Sequence, residues 1–278
     1  MILFGRQWRV TVGTLDVSDL DLDFKVTRSV RREPNRAEIS IYNLSESSRS
    51  IVEEGGEVSL FAGYEDPPQI FRGDQRWAWT ETTADGKDRI THVVARDGGR
   101  AYADVEIARA YNPGTPVYDV VRDVVDAMGV GHGNLSDFAA VLSLRGAATL
   151  ASGYVAHGRA SRVLNDLIRA SGCRWSVQNG SLQIQRQGEP IQTRSTVLSP
   201  DSGLLGSPTW DERGQRTGGR RGLLTATCLI QPGIEPGRQV RIESAGVTGD
   251  FEVRAIEYAG KTYGEEWDAK LVLRRPTP

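Results

Sequence analysis

The sequence is poor in the residues that carry most enzyme chemistry: three histidines, two cysteines and two methionines in 278 residues. No apolar run approaches the roughly 20 residues a helix needs to cross a bilayer, so no membrane span is predicted. The opening MILFGRQWRV has neither a basic region before an apolar run nor a cleavage site, so a chain made and folded in a cytoplasm is expected. A net charge of −2 supplies neither the basic field of a nucleic-acid binder nor the acidic excess of a disordered chain. Lysine is scarce as well. Only Lys25, Lys87, Lys261 and Lys270 occur, and the other cations are arginines, which suit interface ion pairs better.

Catalytic constellations are missing in the same way. His92 sits in a strand-like run, His132 in the loop Gly129-Val130-Gly131-His132-Gly133 and His157 before Gly158, with no metal-ligand spacing among them. The glycines around His132 follow a helix pattern instead of a strand, which excludes a dinucleotide fingerprint. Cys173 and Cys228 lie in separate alternating runs, outside any C-x-x-C pair, and read as buried small hydrophobes. Neither a G-x-S-x-G elbow nor a P-loop is present. The acidic doublets Glu53-Glu54 and Glu265-Glu266 fall at a helix end and in a turn, where solvated surface is the expected setting. The sequence therefore predicts no catalytic residue, no metal and no cofactor.

What the sequence does have is β-pattern. Leu20, Leu22, Phe24 and Val26 alternate with charged residues, as do Ile39 and Ile41. Ser45 predicts a helix N-cap, Ile51 and Val52 the apolar side of a short helix, and Gly55-Gly56 its end. Val58, Leu60 and Ala62 restart the strand period. Asp66-Pro67-Pro68 is a turn, Ile70–Trp79 a strand, and Ala84-Asp85-Gly86-Lys87 a hairpin leading to Ile90–Arg96. Near residue 112 the pattern changes. Thr115 is the expected N-cap and Pro116 the first residue of a helix whose Val117, Val120, Val121, Val124, Val125 and Met128 share one face, stopped by Gly129. A second helix, Ala160–Ala170, feeds a hairpin over Cys173–Gln185 through Asn179-Gly180. From 190 the chain is β again: Leu223–Ile230, Gln239–Glu243, Phe251–Tyr258 and Trp267–Leu273.

The predicted class is mainly β with a mixed α+β middle: a barrel-like domain over 1–107, a helix–helix–hairpin module over 108–189 and a second barrel-like domain over 190–278. The third segment echoes the first. Val58, Leu60 and the later Phe71 match Val240, Ile242 and the later Phe251. One charged element has no place in this scheme. Arg213, Arg216, Arg220 and Arg221, interleaved with glycines, predict a flexible basic hairpin tip, read either as a solvated loop or as an arm that contacts a partner. It carries no aromatics and gives no signal for sequence-specific nucleic-acid binding.

Ordered blocks along the chain carry a resemblance. Pro34-Asn35-Arg36-Ala37-Glu38-Ile39-Ser40-Ile41-Tyr42-Asn43-Leu44-Ser45, Val58–Tyr64, Ile70-Phe71-Arg72-Gly73, Arg174–Gly180, Leu198–Pro208 and Pro236–Ser244 together resemble the tail-tip hub proteins of phages, Mu-like and prophage type, and of related contractile injection systems. The arginine-glycine tip is longer than the turn that family usually has there. The resemblance implies a structural protein of the virion baseplate or tail tip, assembled in the host cytoplasm and acting in genome ejection. It implies a homotrimer whose two barrels per chain form a pseudo-sixfold ring, with tail tube or distal tail protein above, spike or tail fibre below and tape-measure protein in the lumen. A cell-wall glycan-binding or peptidoglycan-degrading tail-tip component is the alternative.

Overall fold

The computed structural model of the chain describes residues 5–219 and 221–276. The N-terminal part holds β1 (Arg6–Val12), β2 (Leu15–Asp16), β3 (Leu22–Ser29), β4 (Arg36–Tyr42), α1 (Glu46–Glu54), β5 (Glu57–Tyr64), β6 (Gln69–Thr82) and β7 (Arg89–Arg96). The middle holds α2 (Gly99–Ala103), β8 (Glu106–Tyr111), α3 (Val117–Met128), α4 (Leu135–Leu144), β9 (Tyr154–Arg159), α5 (Ala160–Ala170), β10 (Cys173–Gln178) and β11 (Ser181–Arg186). The C-terminal part holds β12 (Ile191–Leu198), β13 (Leu204–Trp210), α6 (Glu212–Arg216), β14 (Leu224–Leu229), β15 (Arg238–Glu243), β16 (Thr248–Lys261) and β17 (Trp267–Arg274). The class is mainly β with a mixed α+β module.

These elements form two compact units where the sequence divides into three segments. One takes the chain up to Val30, Asn35–Arg96 and everything from Gly188; the other takes Arg31–Pro34 and Asp97–Gln187. The first and third segments merge because β3 pairs with β16, Val26 opposite Tyr258 and Phe24 opposite Gly260, which joins them in one 13-stranded sheet. One continuous cluster running from Val10 to Leu273 then forms the core under both halves. Residues 97–107 leave the first segment for the mixed unit, where α2 packs on α5 and the Ala160 amide donates to Val105 O.

Within the β unit the two halves repeat one strand order. The first runs β1-β5-β6-β7-β4-β3 and the second β12-β15-β16-β17-β14-β13. Corresponding pairings are antiparallel except β12–β15, which is parallel where β1–β5 is antiparallel. Both central strands, β6 and β16, have 14 residues and one irregularity against their β7 or β17 partner. The sequence echo is offset from this repeat: Leu60 lies opposite Phe71 and Val240 opposite Phe251. Leu60, not Val58, therefore matches Val240 once the phenylalanines are aligned.

Strand alternation places Leu22, Phe24 and Val26 inward as the period requires, and the next inward position is Arg28, 2 % exposed. Arg28 Nη1 donates to Ile70 O at 3.3 Å, and burial pushes the Tyr258 phenol up to about 12 against the opposing pull of the Arg28 charge. Buried Glu252 lies 3.1 Å from both Arg254 and Arg274, so its charge is compensated inside the sheet. Helix α1 begins as predicted, with Ser45 Oγ accepting from Ser48 N at 3.1 Å and Gly55 at its end. Helix α3 starts one residue late. Thr115 Oγ1 donates to Asn112 O and Thr115 O accepts from Leu150, so Pro116 is the cap and its carbonyl accepts the first helical bonds.

The mixed unit packs α3, α4 and α5 with the β10–β11 hairpin around a second core. Asn179 and Gly180 both have positive φ, 51° and 76°, the conformation of a type I′ turn. Asp97, 1 % exposed, accepts from the Asn179 and Gly180 amides at 2.7 and 2.9 Å and fixes that turn. We expect Asp97→Ala to cost about 2 kcal/mol, because two backbone donors then lose a charged acceptor. A urea titration followed by circular dichroism checks this, and an unchanged midpoint would refute the role. Helix α4 and the β8–β9 pair are absent from the sequence reading. Leu135–Leu144 is apolar on nearly every side, down to Leu144 at 78 % exposure, which erases its helical period. It is held by Asn134, whose side chain bonds both backbone groups of Ile184 at 2.8 and 2.7 Å.

Candidate functional site

The basic tip is ordered around Trp210. Asp211 caps α6 by accepting from Gly214 N at 2.7 Å, so the segment expected to be a flexible hairpin tip is one helical turn joining the antiparallel pair β13–β14. A Cβ on Gly214 or Gly219 would come within 2.7 or 2.6 Å of the Trp210 ring, which explains the glycines as packing and not as looseness. Arg213, Arg216 and Arg221 are exposed. Arg216 pairs with Glu212, and the Arg221 amide and carbonyl both bond Thr217 Oγ1, at 3.0 and 2.6 Å. Arg220 lies outside the described residues. The sequence signal for this order was the Asp211-x-x-Gly214 spacing of an N-cap.

Two of the three histidines are held in side-chain contacts. His92 bonds Ser40 Oγ at 3.0 Å and Glu81 at 3.2 Å, and stacks on Trp79 with ring centroids 4.7 Å apart. His132 bonds Asp126 at 2.7 Å, and His157 is exposed on β9. Both cysteines are buried thiols outside any disulfide, and burial pushes the Cys228 thiol up to about 12. Among the described residues no group of three His, Cys, Asp or Glu side chains is placed to hold a metal ion. No helix among them is long and apolar enough to cross a membrane.

Two surface depressions stand out. One, on the sheet face opposite the core, is lined by Asp23, Lys25, Glu38, Glu257, Lys261 and Glu266. Its carboxylates are engaged: Glu257 with Lys25 at 3.1 Å, Glu38 with Arg36 at 2.9 Å, Glu266 with Lys261 at 3.6 Å, and Asp23 accepting from Tyr42 and Tyr263. The other, in the mixed unit, has Val117, Leu150, Tyr154 and Leu167 around a single acid, Asp166. Burial and the Asp166 charge hold the Tyr154 phenol above its ordinary value. Neither arrangement presents the two free carboxylates of a glycosidase. Trp175 is 2 % exposed, and the large exposed apolar residues of the mixed unit are the aliphatic Leu144 and Val155, not the aromatic platform that sugar binding uses.

The surface that sequence reading missed is a sheet edge. Trp77 and Trp79 point to the same side of β6, each 45 % exposed, on a stretch that among the described residues pairs only with β7. Leu205 on β13 is 39 % exposed, and among the described residues β13 pairs only with β14. Two outward tryptophans in Arg76-Trp77-Ala78-Trp79-Thr80-Glu81-Thr82 are a signal for a covered face, because a solvated strand rarely spends two such side chains on water.

No family model matches the sequence, and no curated protein matches it. Solved structures do. The 43 kDa tail protein of prophage MuSo2 from Shewanella oneidensis superposes with a TM-score of 0.64 at 10% identity, over 98% of this chain and 99% of that one. A tail protein from Neisseria meningitidis MC58 gives 0.63 at 12% identity, over 98% and 97%. The chain has the fold of prophage tail proteins. A component of the Escherichia coli type VI secretion system, described as structurally similar to the T4 bacteriophage tail proteins gp27 and gp5, shares this tail-protein fold at a TM-score of 0.52 and 10% identity, over 99% and 77%. The blocks that carried the sequence resemblance fall on its framework: β4 with the α1 cap, β5, the start of β6, the β10–β11 hairpin, the β12–β13 connection and β15.

Proposed function

We propose that this protein is a structural hub of a phage-type tail tip. Three copies form a ring, and the six barrel-like halves in it present six near-equivalent positions to a tail tube above and three identical chains to a spike or fibre below. The observation that carries the reading is the repeated strand order of the two halves within one sheet. A chain with two similar units is the economical way to join a six-fold partner to a three-fold one. Supporting it are the tail-protein fold over the full chain and carboxylates engaged in ion pairs where a cell-wall hydrolase would need them free. The lumen of such a ring borders the path of tape-measure protein and genome, and assembly precedes the finished virion tail.

The test is the mass of the purified protein by multi-angle light scattering, alone and with the candidate spike. The expected result is a species of three times 30.4 kDa, appearing alone or on mixing. A monomer that ignores both spike and tube protein would overturn the reading.

A further inference from the structure

The depression in the mixed unit combines apolar walls with one carboxylate that holds no cation. Its volume is about 320 Å³, at the small end for ligand sites. One wall is fixed by backbone hydrogen bonds that lace the segment after α4 to the start of α3. Gly114 N donates to Leu150 O at 2.8 Å, Leu150 N to Thr115 O at 2.9 Å and Val117 N to Ala148 O at 2.9 Å. Leu150 and Val117 are therefore held in place at the opening. The other wall is α5, which brings Asp166, Leu167 and Ala170 to the same opening because residues three and four apart share a helix face. Tyr154, the first residue of β9, also lines it and lies near enough to Asp166 to feel its charge. Ala147, Ala151 and Ala170 leave the hollow open where longer side chains would fill it.

Asp166 is exposed and accepts from the side-chain amide of its neighbour Asn165 at 3.2 Å. Among the described residues no cation forms an ion pair with it. The basic side chain at the far end of this wall is Arg145, whose guanidinium lies over Gly172, six residues beyond Asp166 and about 9 Å away at helical rise.

We propose that this depression seats an arginine or lysine side chain from a partner protein, its aliphatic stem along Leu150 and Leu167 and its charged head at Asp166. Long basic side chains bury their methylenes while keeping the charge at the surface. An aromatic ring beside a carboxylate adds to the attraction for a cation. An acidic side chain would meet Asp166 with like charge, and a purely apolar one would gain nothing from it. The site belongs to the mixed unit alone and holds whether or not three copies form a ring.

The test is a titration of the full chain, isotope-labelled at its leucine and valine methyls, with N-acetylarginine methylamide and N-acetyllysine methylamide as probes. The uncharged N-acetylnorleucine methylamide, choline and an N-acetylglucosamine trimer are the comparisons, and the methyl signals of Val117, Leu150 and Leu167 are the readout. Saturable shifts are expected from the basic probes, with norleucine binding about fivefold more weakly, the upper range for an exposed ion pair. Asp166→Asn should erase that preference. Ala170→Leu should abolish binding of every probe by filling the hollow, and melting temperatures matching the parent's check that both variants fold. Norleucine binding as tightly as arginine and lysine, or no shift from any probe, overturns the proposal, and both results are read on the parent chain without a variant. Retained binding in Ala170→Leu, or a retained preference in Asp166→Asn, overturns it as well. So does tighter binding of choline or of the sugar at the same methyls, since the occupant would then be a quaternary ammonium headgroup or a glycan.

Discussion

Trp175→Ala is expected to lower the stability of the mixed unit by about 3–5 kcal/mol, the range for deleting a large aromatic from a packed core. Trp175 is 2 % exposed and lies on Tyr102 with centroids 5.0 Å apart and planes at 12°. The same tyrosine hydroxyl accepts from Val177 N at 3.0 Å, which ties the ring stack to the β10 backbone. Losing the indole leaves a void and frees Tyr102 to move, so the hairpin is destabilised from both sides. The indole Nε1 is itself buried without a hydrogen-bond partner. Trp175→Phe should therefore cost less than half as much, because it removes an unsatisfied donor along with some volume. Urea unfolding monitored by near-ultraviolet circular dichroism reads both. Equal costs for the two variants would show that packing of the indole contributes little.

Gly260→Val is the second large effect, at about 2–3 kcal/mol by the usual cost of forcing volume into a filled core. Gly260 lies in one cross-strand row between Phe24 and Trp267. The rings of those residues meet edge-to-face at 5.3 Å over the glycine, and Trp8 joins Trp267 at 5.9 Å. A Cβ there would stand 2.3 Å from the Phe24 ring and 2.8 Å from Trp267. This row is the joint between the two halves of the sheet, so its loss should weaken the long-range β3–β16 pairing first. Thr82 is the matching residue at the open edge of the first half and is exposed. Thr82→Val in the isolated chain should stay within about 0.5 kcal/mol of the parent, as surface changes do. Thermal melts of both variants separate the two positions, and comparable losses would deny that the joint is special.

The strands themselves were legible because their determinants are local. Alternation at Leu22, Phe24 and Val26, the Ser45 cap, the Gly129 stop and the Asn179-Gly180 turn each act over a few residues, and the structure places the corresponding elements within a residue or two. At the arginine tip, glycines signal freedom in a sequence, whereas Gly214 and Gly219 pack closely on Trp210 in the fold. Helix α4 escaped because exposed apolar residues such as Leu144 blur the period set by Leu135, Phe138 and Leu142.

By itself the sequence determined the class, mainly β around a mixed centre, and the scarcity of reactive side chains. It also held the two similar β segments, since composition, turn residues and period survive without knowledge of partners. Only the tertiary structure decided that these segments form one sheet and one core, that β8 pairs with β9 across two helices, and that the halves share a strand order. The same is true of the open edge with two exposed tryptophans. Those facts depend on which distant strands meet, and a pairing such as Phe24 with Gly260 is set by the complementary shapes of a ring and an empty Cβ position, which no stretch of either strand carries alone.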